Sequence, residues 1–238
     1  MALFVLHNVV FKDLIRYPEI EIEEAALTSI VGESGSGKTT LLRLLNGTAS
    51  ATSGEVRYEG RPIEDYDPVA LRCEVLLCGQ SSYLFEGSVQ ENFAEFYRYR
   101  DLPAPSQDQM RSYLELCAAD FDLQADCLTL SGGERQRVFI AICLSFCPKV
   151  LLLDEPTSAL DDATAHTMMT RLKAFCTTGG ITLVVVSHNS ALVTEFADAL
   201  ITLAGGHDER AHAVQQAGEA RRSAGDQRSP HQGVPDER

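Results

Sequence analysis

The sequence predicts an α/β fold built on a mostly parallel sheet. Three observations carry this expectation. Apolar, β-branched runs alternate with segments of helical apolar spacing along most of the chain. A glycine-rich stretch, "GESGSGKT" (32–39), joins one such run to a helical pattern. A later run, "VLLLDEPTSALD" (150–161), ends in two adjacent carboxylates, Asp154 and Glu155. Carboxylates are rarely placed at a buried strand end without a positive partner.

Taken in order, "LFVLHNVVF" (3–11) reads as a strand, and "EIEIEE" (19–24) alternates as a half-exposed strand does. "LTSIV" (27–31) is a short apolar strand stopping at Gly32. "TTLLRLLNG" (39–47) has helical spacing and a terminal Gly47 suited to a cap. "SGEVRYEGRPI" (53–63) predicts a small hairpin and "CEVLLC" (73–78) a buried strand. Residues 88–127 are helical in pattern, broken by "DLPAPS" (101–106), and suggest an inserted helical subdomain at about 82–130. A helix over 134–147 and a strand at 150–153 follow. The remaining expectations are a helix at 162–176, a strand "ITLVVV" (181–186), a short helix at 190–197 and a strand "LITL" (200–203). Residues 204–238 hold almost no large apolar side chains, so composition predicts a disordered tail beyond a folded 1–203.

Composition narrows the function classes. The 238 residues are 45% hydrophobic and 23% charged, with a mean hydropathy of -0.07. No apolar run approaches the roughly 18 residues that span a bilayer. The N-terminus "MALFVLHNVV" shows no basic leader, so a cytoplasmic location is expected. A net charge of -14 and a pI of about 4.8 oppose phosphate-backbone binding, so no nucleic-acid partner is expected. Seven cysteines form no CxxC pair. Cys143 and Cys147 stand four apart on the helix at 134–147, but no second ligand pair lies near, and reduced thiols acting as small hydrophobes are expected.

"GESGSGKT" fits G-x-x-x-x-G-K-[ST] in the strand-to-helix context that motif needs. Its glycines let backbone N–H groups approach phosphates, and the helix N-terminus adds a field favourable to anions. Lys38 would neutralise charge between β- and γ-phosphates, and the Thr39 hydroxyl would hold magnesium. The strand ending in Asp154 is expected beside the loop's own strand, which would bring that carboxylate to the magnesium. Glu155 would polarise a water for attack on the γ-phosphate. The plainer alternatives are a glycine-rich turn and two solvated acids.

"LSGGERQRV" (130–138), with "GESGSGKT", "LLLDEPTSALD" and "SH" (187–188), closely resembles the ATP-binding subunits of ABC transporters in order and spacing. The resemblance covers about residues 3–203 and implies a P-loop ATPase fold of the ABC type, with an antiparallel β part and an inserted helical subdomain. It implies ATP and Mg2+ as ligands. Gly32, Glu33, Ser34, Gly35, Ser36, Gly37, Lys38, Thr39 and Thr40 look like the Walker A loop. Gln80 matches the glutamine that touches magnesium and the attacking water; Asp154 and Glu155 match Walker B. Ser131, Gly132 and Gly133 match the signature that caps the other protomer's ATP in a head-to-tail homodimer. Ser158, Ala159, Leu160 and Asp161 match the D-loop, and His188 the switch histidine. The charges of "ERQR" (134–137) read as the solvated face of a helix.

One departure stands out. Where the family places an adenine-stacking tyrosine, this chain has Asp13, which leaves Phe11 first and Tyr17 second for that role. "GQSSYLFEGSVQENF" (79–93) lies in the stretch that docks on the membrane subunit in this family and is more like exporter modules. The resemblance therefore implies a separate polytopic membrane permease docking near Tyr83–Phe93, with the ATPase peripheral on the inner face of the cell membrane. A finer likeness, in "PKVLLLDEPTSALD" and "ALITLAGG", is to the FetA (YbbL) group associated with iron export and a FetB-type partner. The rivals are a soluble ABC ATPase acting on ribosomes or DNA, and a regulatory nucleotide-binding module without transport. The single module and acidic pI oppose the first; intact Glu155 and His188 oppose the second. A GTPase reading lacks any N-K-x-D element.

Overall fold

Short strands that are apolar on both sides need cover on both faces. The computed structural model, which describes residues 1–80, 83–204 and the backbone of 214–217, supplies it with two layers of cover. Strands β1 (Ala2–Phe11), β2 (Ile15–Glu23), β4 (Ser53–Tyr58) and β5 (Arg61–Pro62) form an antiparallel sheet in the order β2-β1-β4-β5. In β2, Tyr17, Ile20 and Ile22 are buried while Glu19, Glu21 and Glu23 face out. The core sheet holds β3 (Leu27–Gly32), β6 (Val75–Cys78), β7 (Val150–Asp154), β8 (Thr182–Val186), β9 (Ala199–Leu203) and β10 (Val214–Ala217). Its order is β10-β9-β3-β8-β7-β6, parallel throughout except for β10.

Strand alternation divides the core in two. Val150 and Leu152 of β7, with Val184 and Val186 of β8, join the antiparallel sheet and helix α1 (Lys38–Leu45) in one apolar cluster. Leu151, Leu153, Leu183 and Val185 face the other cluster, under α3 (Val89–Arg98), α4 (Gln107–Leu116), α5 (Gly132–Ser145) and α6 (Asp162–Gly179). Helices α2 (Pro68–Glu74) and α7 (Ser190–Phe196) complete the chain. Five cysteines are buried and all seven are free, as expected; Cys143 is internal and Cys147 exposed, so the pair shares no site.

Several expectations change. The strand expected at 73–78 loses Cys73 and Glu74 to α2, because Asp67 caps Val69 N and Ala70 N ahead of Pro68 at the first helical position. The helical stretch at 88–127 ends at Leu116. Irregular backbone follows, fastened to the start of α3 by Val89 N donating to Ala125 O and Cys127 N to Gly87 O. The strand of Asp154 does not lie beside β3, because β8 runs between them. In the tail, Val214–Ala217 pairs antiparallel with β9. Main-chain hydrogen bonds to a strand edge need no apolar side chains, which is why composition missed this strand. The rest of the tail call, 205–213 and 218–238, and residues 81–82 of the docking stretch lie outside the described residues.

Asn92 is fully buried and holds the loop that follows Gln80. Its Oδ1 accepts from Phe85 N at 2.8 Å, and its Nδ2 donates to Phe85 O at 3.1 Å and Ser88 O at 3.0 Å. Asn92→Ala leaves these backbone groups without partners. It is expected to cost about 2 kcal/mol of stability, read as a lower urea midpoint.

Candidate functional site

The C-terminal ends of β3 and β7 converge through α1, which packs across β3, β6 and β7. Gly32 and Gly37 bracket the loop between strand and helix, and both need glycine. A Cβ on Gly32 would lie 2.4 Å from Leu203 O, and one on Gly37 2.6 Å from Tyr17 Oη. Gly37 also has φ 95°, in the left-handed region. No side chain caps α1, so its first N–H groups remain for an anion. Lys38, 6% exposed, donates from Nζ to Gly32 O at 2.9 Å and Glu33 O at 2.7 Å. One of its three donors is left for a ligand. Ser36 Oγ is buried within the loop without a partner.

Thr39 Oγ1 donates to Asp154 Oδ2 at 2.8 Å, so α1 bridges the intervening β8 and reaches β7. Asp154 is 2% exposed, and its Oδ1 is buried without a partner. A hydroxyl and an orphaned carboxylate oxygen are the donors a hard divalent cation takes, so the residues fit Mg2+. Gln80 leaves β6 at the same end of the sheet, because Cys78 pairs with Leu153; its side chain is exposed.

Burial pushes the Asp154 carboxyl above its ordinary value, and the Thr39 hydrogen bond pulls the other way. A carboxyl raised by folding removes stability once the pH exceeds about 3.9, because unfolding lets it ionise freely. Asp154→Asn is therefore expected to raise the melting temperature of nucleotide-free, chelator-treated protein at neutral pH. That gain should disappear as the pH falls below the unfolded value, while turnover is lost throughout. Thermal unfolding across pH, beside an ATPase assay, checks both.

Glu155 adopts φ 53°, an uncommon left-handed conformation for a side-chain-bearing residue, held by its N–H donating to Val186 O at 3.0 Å. Its Oε1 lies 2.9 Å from His188 Nε2, which follows β8 and is half exposed. The two expected catalytic groups thus meet across neighbouring strand ends. Ser158 Oγ donates to Glu155 O at 3.1 Å, and Asp161 caps α6 through Thr164 N at 3.0 Å. Hydrogen bonds from Thr164 hold the Asp161 carboxyl below the usual range.

Ser131 opens α5 in a capping box: its N–H donates to Glu134 Oε2 at 2.7 Å, and its Oγ accepts from Glu134 N at 3.4 Å. A Cβ on Gly133 would lie 2.7 Å from Ala159 Cβ, so the turn at Ser131–Gly133 packs on the loop that leads into α6. Gly132 has open space around it. The reading of "ERQR" as a solvated face is corrected. Glu134 caps, Arg135 donates to Cys127 O at 3.1 Å, and Arg137 lies over Phe121 at 5.6 Å. Gln136 is buried and donates from Nε2 to Asp154 O at 3.4 Å. Sequence reasoning missed Gln136. The available signal was its spacing of four from Ile140 and seven from Cys143, one inward helical face.

Tyr17 cannot stack on a base, which corrects that expectation. It is fully buried and donates from Oη to Gly37 O at 2.7 Å, bracing the loop from beneath. Phe11 is half-buried against the core, with Lys12 Nζ 5.3 Å from its ring centroid.

A second surface follows the Asn92-held loop. Tyr83, 67% exposed, meets Phe85 edge-on at 5.1 Å; Phe85 in turn stacks on Tyr99 at 5.7 Å and packs on Phe96 at 5.3 Å. An exposed aromatic patch of this kind is the composition of a protein–protein contact.

A family model described as ABC transporter matches residues 16–158. A phosphonates import ATP-binding protein, PhnC of Thiobacillus denitrificans, is 34% identical over 201 residues, covering 79% of this chain and 76% of that protein. The "Probable iron export ATP-binding protein FetA" of Escherichia coli is 35% identical over 175 residues, covering 73% and 77%. A solved dimeric ATP-binding cassette in a post-hydrolysis state, bound to ADP and Pi, superposes with a TM-score of 0.76 at 27% identity. It covers 90% of this chain and 98% of its own.

Proposed function

The chain belongs to the ABC transporter ATP-binding family, and from that premise we propose how its own residues run the ATP hydrolysis that drives a transporter. The observation that carries the reading is the buried, unpartnered Oδ1 of Asp154 beside the Thr39 hydroxyl. Thr39, Asp154 and Gln80 would hold Mg2+, which supplies charge neutralisation at the β- and γ-phosphate oxygens. The N–H groups of 32–40 and Lys38 bind the triphosphate and fix its orientation. Glu155 accepts the proton of the attacking water, and His188 holds the Glu155 carboxylate in place through their 2.9 Å contact. Ser131, Gly132 and Gly133 cap the γ-phosphate held by a second copy, with Ser158–Asp161 crossing between the copies. Closure of that homodimer around two nucleotides is the power stroke.

The Tyr83–Phe93 surface takes the membrane partner, which sets the chain on the inner face of the membrane. Among the described residues no helix is long and apolar enough to cross a membrane, so the permease is a separate chain or segment in this reading. Import and export relatives match alike, and the transported substrate belongs to the permease; export of a metal ion is the finer reading that the FetA likeness supports. The test is capture of the tagged chain with Mg-ATP from detergent-solubilised cells. A polytopic membrane protein among the captured partners is expected; ribosomal or DNA-bound partners alone would overturn the transporter reading. Tyr83→Glu is expected to abolish that capture while isolated ATP turnover stays within about twofold, because an exposed side chain carries little stability.

A further inference from the structure

Helix α4 ends in a turn that folds the chain back on itself. Ala118 takes φ 50°, in the left-handed region; its N–H donates to Glu115 O at 3.0 Å, and Ala119 N donates to Leu114 O at 3.0 Å. The turn carries Asp120 and Phe121 back beside the last turn of α4. Arg171 of α6 closes the other side, with Nη1 donating to Glu115 O at 2.7 Å. These elements line a cavity of about 450 Å³ that shares no residue with the phosphate loop. Its size is that of a small-molecule site.

The lining has an apolar part and a charged part. Leu114 and Phe121 give apolar surface, while Arg111, Arg171, Glu115 and Asp120 bring two positive and two negative side chains. Among the described residues no ion pair joins any of these four. Arg171 spends one of its five donors on Glu115 O and keeps the rest. Opposite charges thus share one wall without satisfying each other.

We propose that this cavity is an effector site for a free α-amino acid with an aromatic or large apolar side chain. The α-carboxylate takes the guanidinium groups of Arg111 and Arg171, which match it in charge and shape. The α-ammonium takes the carboxylates of Asp120 and Glu115, and the side chain packs on Leu114 and Phe121. A ligand of a single sign meets two like charges in the same cavity, which costs it affinity. Phe121 also links the cavity to the turn before α5. The Arg137 guanidinium lies over its ring at 5.6 Å, and Arg137 Nη1 would be 3.8 Å from a Cβ on Gly133. Arg137 Nε is buried without a partner, so this side chain gains from any shift that brings it an acceptor. A ligand that moves Phe121 therefore moves Arg137 against Gly133, and ATP turnover responds. That response rests on the role given above to Ser131, Gly132 and Gly133; the binding does not.

The test is titration calorimetry of the full chain with L-phenylalanine, with 3-phenylpropionate, which lacks the ammonium, and with phenethylamine, which lacks the carboxylate. L-Phenylalanine is expected to bind with a dissociation constant of roughly 0.1–1 mM, ordinary for so small a ligand. Each analogue is expected to bind about tenfold more weakly or worse. Absence of L-phenylalanine binding would overturn the inference, and so would equal affinity for 3-phenylpropionate, which would make the cavity a plain anion site. Arg111→Ala and Asp120→Asn change exposed side chains, so the fold is expected to survive both. Each is expected to weaken L-phenylalanine about tenfold; unchanged affinity in both would place the amino acid elsewhere and overturn the assignment. L-Phenylalanine is further expected to change ATP turnover of the native chain about fivefold, a response that Arg111→Ala loses at the same concentration. Binding without any change in turnover would overturn the effector role. No turnover with or without the amino acid, beside intact binding, would remove the hydrolysis reading above and leave the binding site standing.

Discussion

Glu155→Gln is expected to keep nucleotide affinity and to slow hydrolysis roughly 10²–10⁴-fold, the share a positioned general base supplies. The substitution keeps side-chain volume and the amide oxygen that can face His188 Nε2, so the 2.9 Å contact and the left-handed backbone at Glu155 have no reason to move. What disappears is the ability to take a proton. The same variant should accumulate as a dimer in Mg-ATP, because closure then outlasts hydrolysis. A coupled assay for ADP, beside size-exclusion chromatography with and without nucleotide, reads both effects. Native turnover would move the base to another residue.

Lys38→Ala is expected to raise the nucleotide dissociation constant roughly 10²-fold or more, as for removal of one partner of a buried charge pair. The ammonium is almost fully enclosed and already oriented by the Gly32 and Glu33 carbonyls, so a phosphate meets a preplaced charge. Lys38→Arg should not restore affinity, since a planar guanidinium is larger than the space an ammonium occupies. Thermal unfolding of the nucleotide-free variant separates loss of the charge from loss of the loop: the two carbonyls also lose their donor, and a modest destabilisation is expected. Binding that survived Lys38→Ala would refute the phosphate site.

The local parts of the site were legible because each is made by consecutive residues. Eight residues from Gly32 to Thr39 contain the left-handed turns, the helix start and the lysine, and the apolar run of β7 stops at Asp154, just before Glu155. The order of the core sheet was not legible. Placing β7 next to β3 was the economical expectation, yet β8 lies between, and contact is made by Thr39 reaching across to Asp154. Helix α2 was hidden because its signal is the Asp67–Pro68 cap rather than a long apolar period. "ERQR" looked solvated because residue type alone does not say which way a helix faces. Gln136 turned inward because α5 is covered on most of its circumference.

By itself, then, the sequence determined the kind of fold, the glycine-rich loop between strand and helix, the two adjacent carboxylates and the family, since these depend on residue order over a few turns of chain. Only the tertiary structure decided which groups meet. It pairs Glu155 with His188, leaves one Asp154 oxygen buried without a partner, and closes Tyr17 beneath Gly37. The reason is physical: burial and hydrogen-bond partnership arise between residues far apart in sequence, and the free energy of a polar group is set by what surrounds it rather than by its type.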